Sequence, residues 1–173
     1  SLWYCNVGHG RSEIIDAITA QMRELDTYST FDPFTNAAAE GAADRIRSVS
    51  PFPDGRVFLC CSGSEAVDSA LKISRLVAQL GAGTPTSEGD DGAERQIIVR
   101  RDRGYHGVNF GGTSAQGLPL NRQGWGQLVA GFEQMDGDDI ESAARLFAGH
   151  GDRIAAVIAE PVQGAGGVLS LIH

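Results

Sequence analysis

Three short stretches hold the residues whose types and spacing suit chemistry. Ser62-Gly63-Ser64 lies between an apolar run and a long helical period. A glycine there lets the backbone approach a ligand, a helix N-terminus offers unpaired N–H groups, and two hydroxyls add donors, a set that suits a phosphate. A plain helix cap uses the same residues. The Lys-Ser/Thr ending of a triphosphate-binding loop is absent, and no Gly-x-Gly-x-x-Gly follows a strand. Gly104-Tyr105-His106-Gly107 sets a phenol beside an imidazole, between glycines. Its flat ring suits stacking on another ring, and a surface turn is the alternative. Glu160, in Glu160-Pro161-Val162-Gln163-Gly164, puts a carboxylate after a third apolar run. Buried, it is costly unless paired, so it is either functional or solvated at the sheet edge.

One residue count bears directly on reaction type. Lys72 is the single lysine and the other basic residues are arginines. Arginine stays protonated, so an amine nucleophile has one candidate. Lys72 lies in a polar helical stripe four residues after Asp68, the favourable order for a surface ion pair, whereas a catalytic lysine needs burial to depress its pKa. We read it as a solvated helix lysine.

The elements that position these groups follow from periodicity. Val57–Cys60, Gln96–Arg100 and Ile154–Ala159 read as short buried strands. Glu65–Leu80 reads as a helix with a polar stripe of Glu65, Asp68, Lys72, Arg75 and Gln79 and a wide apolar arc. Two helices precede them: one from Ser12, with Ile14, Ile15, Ile18, Met22 and Leu25 on one face, and one over Ala37–Ser48 capped by Asn36. Asp138 with Glu141 reads as a capping box for a helix through Phe147. The polar stretch Gly81–Glu94 reads as a solvated loop, and Val108–Gly131 is glycine-rich without a clear period. Apolar strands separated by helices imply a parallel α/β sheet covered on both faces, with its ligand site beyond the carboxyl ends of the strands.

Composition narrows the function classes. The 173 residues, 42% hydrophobic and 21% charged, suit one globular domain, and no run approaches the roughly 20 apolar residues of a membrane span. A net charge of -8 argues against a nucleic-acid surface. Three cysteines, two of them the adjacent Cys60 and Cys61, make neither a disulfide framework nor a metal set, which fits a reducing cytoplasm. His9, His150 and His173 lack ligand spacing, and Asp136, Asp138 and Asp139 read as a turn and helix start.

The stretches LWYCNVGHGR (Leu2–Arg11), CSGSEAVDSALKISR (Cys61–Arg75), GYHGVNFGG (Gly104–Gly112) and AEPVQGAGGV (Ala159–Val168) resemble, in order and across nearly the whole chain, class III aminotransferases of the ω-amino acid:pyruvate type. The resemblance implies part of the large domain of a fold-type I enzyme using pyridoxal 5′-phosphate (PLP), with a mostly parallel sheet and helices on both faces. It implies an amino donor (an amine or ω-amino acid), a keto-acid acceptor such as pyruvate, and a homodimeric parent. By the same resemblance, Ser62, Gly63 and Ser64 hold the cofactor phosphate, Tyr105 stacks on the pyridine ring with His106 as companion, and Glu160 lies near the cofactor. In many members that glutamate pairs with a distal arginine gating the substrate carboxylate. Trp3 and the Tyr28–Asn36 stretch match segments near the substrate entrance and subunit interface.

The family's aspartate facing the pyridine nitrogen, its Schiff-base lysine and its small C-terminal domain match nothing here. The run after Gly166-Gly167-Val168 departs from the family pattern. The expectation is a truncated chain, 1–173, of the large domain, with no transaminase activity and weak cofactor binding by itself. The alternative is a non-catalytic fragment or pseudogene product that at most binds phosphate weakly.

Overall fold

The computed structural model describes residues 4–81 and 95–170. Trp3, most of the polar Gly81–Glu94 stretch and His173 therefore fall outside the described residues. The chain divides into two compact units, Ser1–Leu59 and Cys60–His173.

The first unit has two helices, α1 (Ser12–Glu24) and α2 (Ala37–Val49). The cap on α2 is the expected one: Asn36 accepts the Ala39 N–H at 2.9 Å. The cap on α1 differs. Ser12 is already helical, Arg11 occupies the cap position without a side-chain bond, and it pairs with Glu13. The apolar face of α1 is present, yet no residue of either helix is buried.

The second unit contains every buried residue described. It opens with α3 (Gly63–Gly81), then β1 (Ile97–Arg101), the short α4 (Phe110–Ala115), β2 (Phe132–Met135), α5 (Ile140–His150) and β3 (Ile154–Ile158). A small antiparallel hairpin follows, β4 (Val162–Gln163) and β5 (Leu169–Ser170). The main sheet has the order β2-β1-β3 and is wholly parallel. Its central strand is buried throughout, as expected for a parallel sheet covered on both faces. Ile98 packs with Leu71 of α3 and Ala115 of α4, while Ile97 and Val99 pack with Ile154 and, from α5, Leu146. Alternate β1 side chains thus feed two cores.

Three sequence expectations change. Val57–Cys60 has no regular secondary structure and joins no ladder among the described residues, and Phe58 is 73% exposed. An apolar run becomes a strand only where a neighbour takes up its N–H and C=O groups. Conversely, Phe132-Glu133-Gln134-Met135 forms β2 despite its modest apolar content, because at the sheet edge one apolar residue toward each core suffices: Phe132 packs toward the Ile98 cluster and Met135 toward the Val99 cluster. The cap of α5 is Asp139, which accepts the Glu141 N–H at 2.9 Å, while Asp138 pairs with Arg103.

The polar stripe of α3 also faces differently from its reading as a solvated surface. Asp68 accepts the Gly112 N–H at 2.8 Å, and Arg75 donates to the Ala130 carbonyl at 2.7 Å with its guanidinium over the Phe132 ring. The stripe stitches α3 to α4 and to the entry of β2. Asp68 is thus engaged elsewhere, and the expected Asp68–Lys72 pair is absent. Lys72 remains exposed, with no ion pair among the described residues.

Candidate functional site

The N-terminus of α3 is capped from its own sequence. Ser62 Oγ accepts the Glu65 N–H at 3.1 Å, and Glu65 Oε2 accepts the Cys61 N–H at 2.9 Å, a variant of the reciprocal capping box. The first helical bond runs from Ala66 N–H to the Ser62 carbonyl. The N–H groups of Gly63 and Ser64 therefore have no helical acceptor, and a Cβ built on Gly63 meets nothing within 4 Å. At the positive end of this 19-residue helix, these two donors have no hydrogen-bond partner among the described residues, and the space beside Gly63 is open. Both readings of Ser62-Gly63-Ser64 hold together: Ser62 is the cap, and Gly63 and Ser64 present the free donors.

The turn after β1 is pressed against this helix end. Ser64 Oγ accepts the Val108 N–H at 3.1 Å, which leaves the hydroxyl proton free to donate. Gly107 packs directly on Ser64: a Cβ there lies 2.8 Å from Ser64 Oγ, and its φ of +97° is already in the region that favours glycine. Tyr105 and His106 precede this contact. Tyr105 is 38% exposed, with its ring available, whereas His106 is 6% exposed and its Nε2 has no hydrogen-bond partner. Burial holds the His106 pKa below the usual imidazole value, with the Glu160 carboxylate opposing and the Arg100 guanidinium reinforcing. Near neutral pH His106 is an uncharged, buried imidazole next in sequence to the exposed Tyr105.

Glu160 follows β3 and joins the same turn. Its Oε1 accepts the Tyr105 N–H at 2.7 Å and its Oε2 accepts the Gly164 N–H at 3.2 Å. No cation among the described residues lies within ion-pair distance of it. Each oxygen keeps a lone pair for a further donor. The structure thus links Ser64, Tyr105 and Glu160 through bonds to main-chain N–H groups of one turn, in which His106 is buried; Trp3 lies outside the described residues.

Further residues hold this arrangement and carried no sequence signal. Gln116 is buried; its Nε2 donates to the Gly107 carbonyl at 3.4 Å, and its own carbonyl accepts Arg100 and Arg122 at 2.8 and 3.0 Å. Burial, with Arg122 alongside, lowers the Arg100 pKa to about 10, against the opposing charge of Glu133. Gln163 is fully buried and donates to the Asp102 carbonyl at 2.5 Å. Their partners are main-chain carbonyls, which leave no trace in residue type.

Comparison with known proteins places this architecture. The family model for class-III aminotransferases matches residues 1–171. An omega-aminotransferase of Caulobacter vibrioides is 36% identical over 97% of this chain and 40% of its own length, and a beta-alanine–pyruvate aminotransferase of Pseudomonas aeruginosa is 33% identical over 97% and 39%. Among solved structures, an amine transaminase from an uncultivated Pseudomonas species in its PLP-bound form superposes with a TM-score of 0.83 at 34% identity, over 98% of this chain and 40% of that one. A transaminase from the marine bacterium Virgibacillus gives 0.84 at 33%, over 98% and 38%. The fold is that of part of the large domain of a transaminase. The chain belongs to the class-III aminotransferase family, and it spans about 40% of the length of the relatives it matches.

Proposed function

We propose that this segment, residues 1–173, is the cofactor-anchoring part of the large domain of a PLP-dependent aminotransferase. The whole protein then moves an amino group from an amine or ω-amino acid to a keto acid such as pyruvate. One observation carries the reading: two unpaired N–H groups and a free hydroxyl proton at the start of α3, packed against the turn that displays Tyr105.

This donor set fits a phosphate monoester, since an anion at a helix N-terminus gains both the orphan N–H groups and the helix dipole. When bound, PLP supplies the electron sink that lets an amino group leave one carbon and join another. The chain's own residues orient and anchor. Gly63 and Ser64 would donate to the phosphate, and the Tyr105 ring would offer a stacking face beside the neutral, buried His106. Glu160 fixes the Tyr105 main chain and keeps acceptor capacity for a substrate-side cation.

Lys72 takes no part in proton movement. It is exposed on α3 and lines a recess with Asp68, Leu71, Arg75, Phe110 and Phe132. The reactive amine therefore belongs to a segment that this chain does not contain, and the small domain likewise. Homodimerisation and a cytoplasmic setting complete the proposal; among the described residues, no helix is long and apolar enough to cross a membrane.

The test is a chimera in which this chain replaces the matching segment of the Caulobacter omega-aminotransferase. Pyruvate-dependent amine transfer above free-cofactor background supports the reading. A chimera that folds and binds PLP without transfer contradicts it. Borohydride reduction of the chain alone with PLP, followed by peptide mapping, is expected to leave Lys72 unmodified above reagent background.

A further inference from the structure

We propose that Gln163 is a positioning residue for the ring platform: its side chain fixes the turn bearing Tyr105 and His106, independently of the phosphate cradle. The inference rests on the cofactor reading of the site and deepens it.

The turn leaving β1 is strained. Arg103 has φ 56°, a left-handed conformation that non-glycine residues adopt rarely and keep only where their surroundings enforce it. The Arg103 side chain is tied to Asp102 and Asp138, its N–H donates to the Gly117 carbonyl, and the Gly117 N–H returns to the Gly104 carbonyl. The decisive grip comes from the turn after β3. Gln163 Nε2 donates to the Asp102 carbonyl, and Glu160, three residues earlier, accepts the Tyr105 N–H. One short segment thus holds both ends of the bend, one by a donor and one by an acceptor. Gly166 closes the contact, because a Cβ there collides with the Arg103 carbonyl.

Packing alone does not account for a glutamine here. Gln163 is 0% exposed, and its Oε1 has no hydrogen-bond partner. A buried amide oxygen without a donor costs stability, so methionine, of similar shape, removes that cost while taking from the Asp102 carbonyl its Gln163 donor. What methionine lacks is the N–H on the Asp102 carbonyl. Gln163 makes no hydrogen bond to Ser62, Gly63 or Ser64, whose geometry comes from Glu65 and Val108.

The experiment uses the whole chain with Gln163→Met and Gln163→Glu. Readouts are Tyr105 amide hydrogen exchange without ligand, the thermal midpoint, inorganic phosphate affinity, and induced circular dichroism at saturating PLP. In Q163M, Tyr105 exchange should accelerate about tenfold, as expected when a local opening becomes easier. The midpoint should hold, because removal of the orphan oxygen offsets the bond lost, phosphate affinity should not change, and the induced signal should shrink. Q163E should loosen the turn at least as much as Q163M where its carboxyl is ionised, with a lower midpoint because a buried unpaired charge is costly, and recover on acidification, because only the protonated carboxyl donates to the Asp102 carbonyl. Unchanged Tyr105 protection in Q163M, or acceleration only in step with a falling midpoint, overturns the proposal. If the wild-type chain binds neither phosphate nor PLP, the cofactor reading fails, and the exchange result still decides whether Gln163 positions the turn.

Discussion

The two units of the molecule differ in what holds them. Ser1–Leu59 has two amphipathic helices, one of them capped by a side chain, and no buried residue among those described, whereas Cys60–His173 has a fully buried central strand and the candidate site residues that are described. Local rules suffice to write a helix: an Asn36 cap and apolar spacing give α1 and α2 their form. They do not bury anything by themselves. A core needs two complementary surfaces, and only the second unit provides them, with α3 and α4 on one side of β1 and α5 on the other. The site depends on that rigid base, because Tyr105 and Glu160 both sit within a few residues of strand ends.

Mutations that separate the two regimes should differ most. Ile98→Ala removes a side chain with 0% exposure and should cost about 2–5 kcal/mol of unfolding free energy in denaturant titration, while Ile18→Ala on the exposed face of α1 should stay within about 0.5 kcal/mol. Equal effects would erase the contrast. Gly107→Ala forces a Cβ onto Ser64 at a positive φ and should cost about 1–3 kcal/mol. The same variant should weaken inorganic phosphate binding by calorimetry, because it pushes the Tyr105 turn off the helix end. Asn36→Ala should cost α2 about 1 kcal/mol, read as lost helical circular dichroism, and leave phosphate binding unchanged.

The smallest effect is a pH slope. Burial lowers the folded-state pKa of His106, so the unfolded chain binds more protons as pH falls through about 6.5, and stability should drop there with acidification. Below the folded-state value the slope should vanish. Glu160 and Arg100 are the charged groups acting on this imidazole. His106→Asn should flatten the unfolding free energy between about pH 7.5 and about pH 5, and an unchanged slope would assign it to other groups.

Much of the second unit was legible in the residues. The runs of β1 and β3 and the long period of α3 are strong signals, and the phosphate-type and ring-type residues lie where open α/β sheets build sites. Val57–Cys60 was misread because apolar content says nothing about whether a ladder partner exists. β2 was missed because Phe132 and Met135 are its only apolar residues. Asp68 and Arg75 misled for another reason: a helical wheel equates polar with solvated, yet both bind main-chain groups of neighbouring elements. Gln116 and Gln163 were invisible because each acts on a carbonyl distant in sequence.

The central claim is that the start of α3 and the Tyr105 turn form one cofactor site. Its most direct test follows the backbone amide resonances of the chain during titration with PLP, phosphate-free pyridoxal and inorganic phosphate. Gly63 and Ser64 should shift with PLP and inorganic phosphate and stay unmoved by pyridoxal, while Tyr105 and Val108 should shift further with PLP than with phosphate. Shifts in Gly63 and Ser64 equal for PLP and pyridoxal, or PLP shifts confined to residues remote from both, would contradict it.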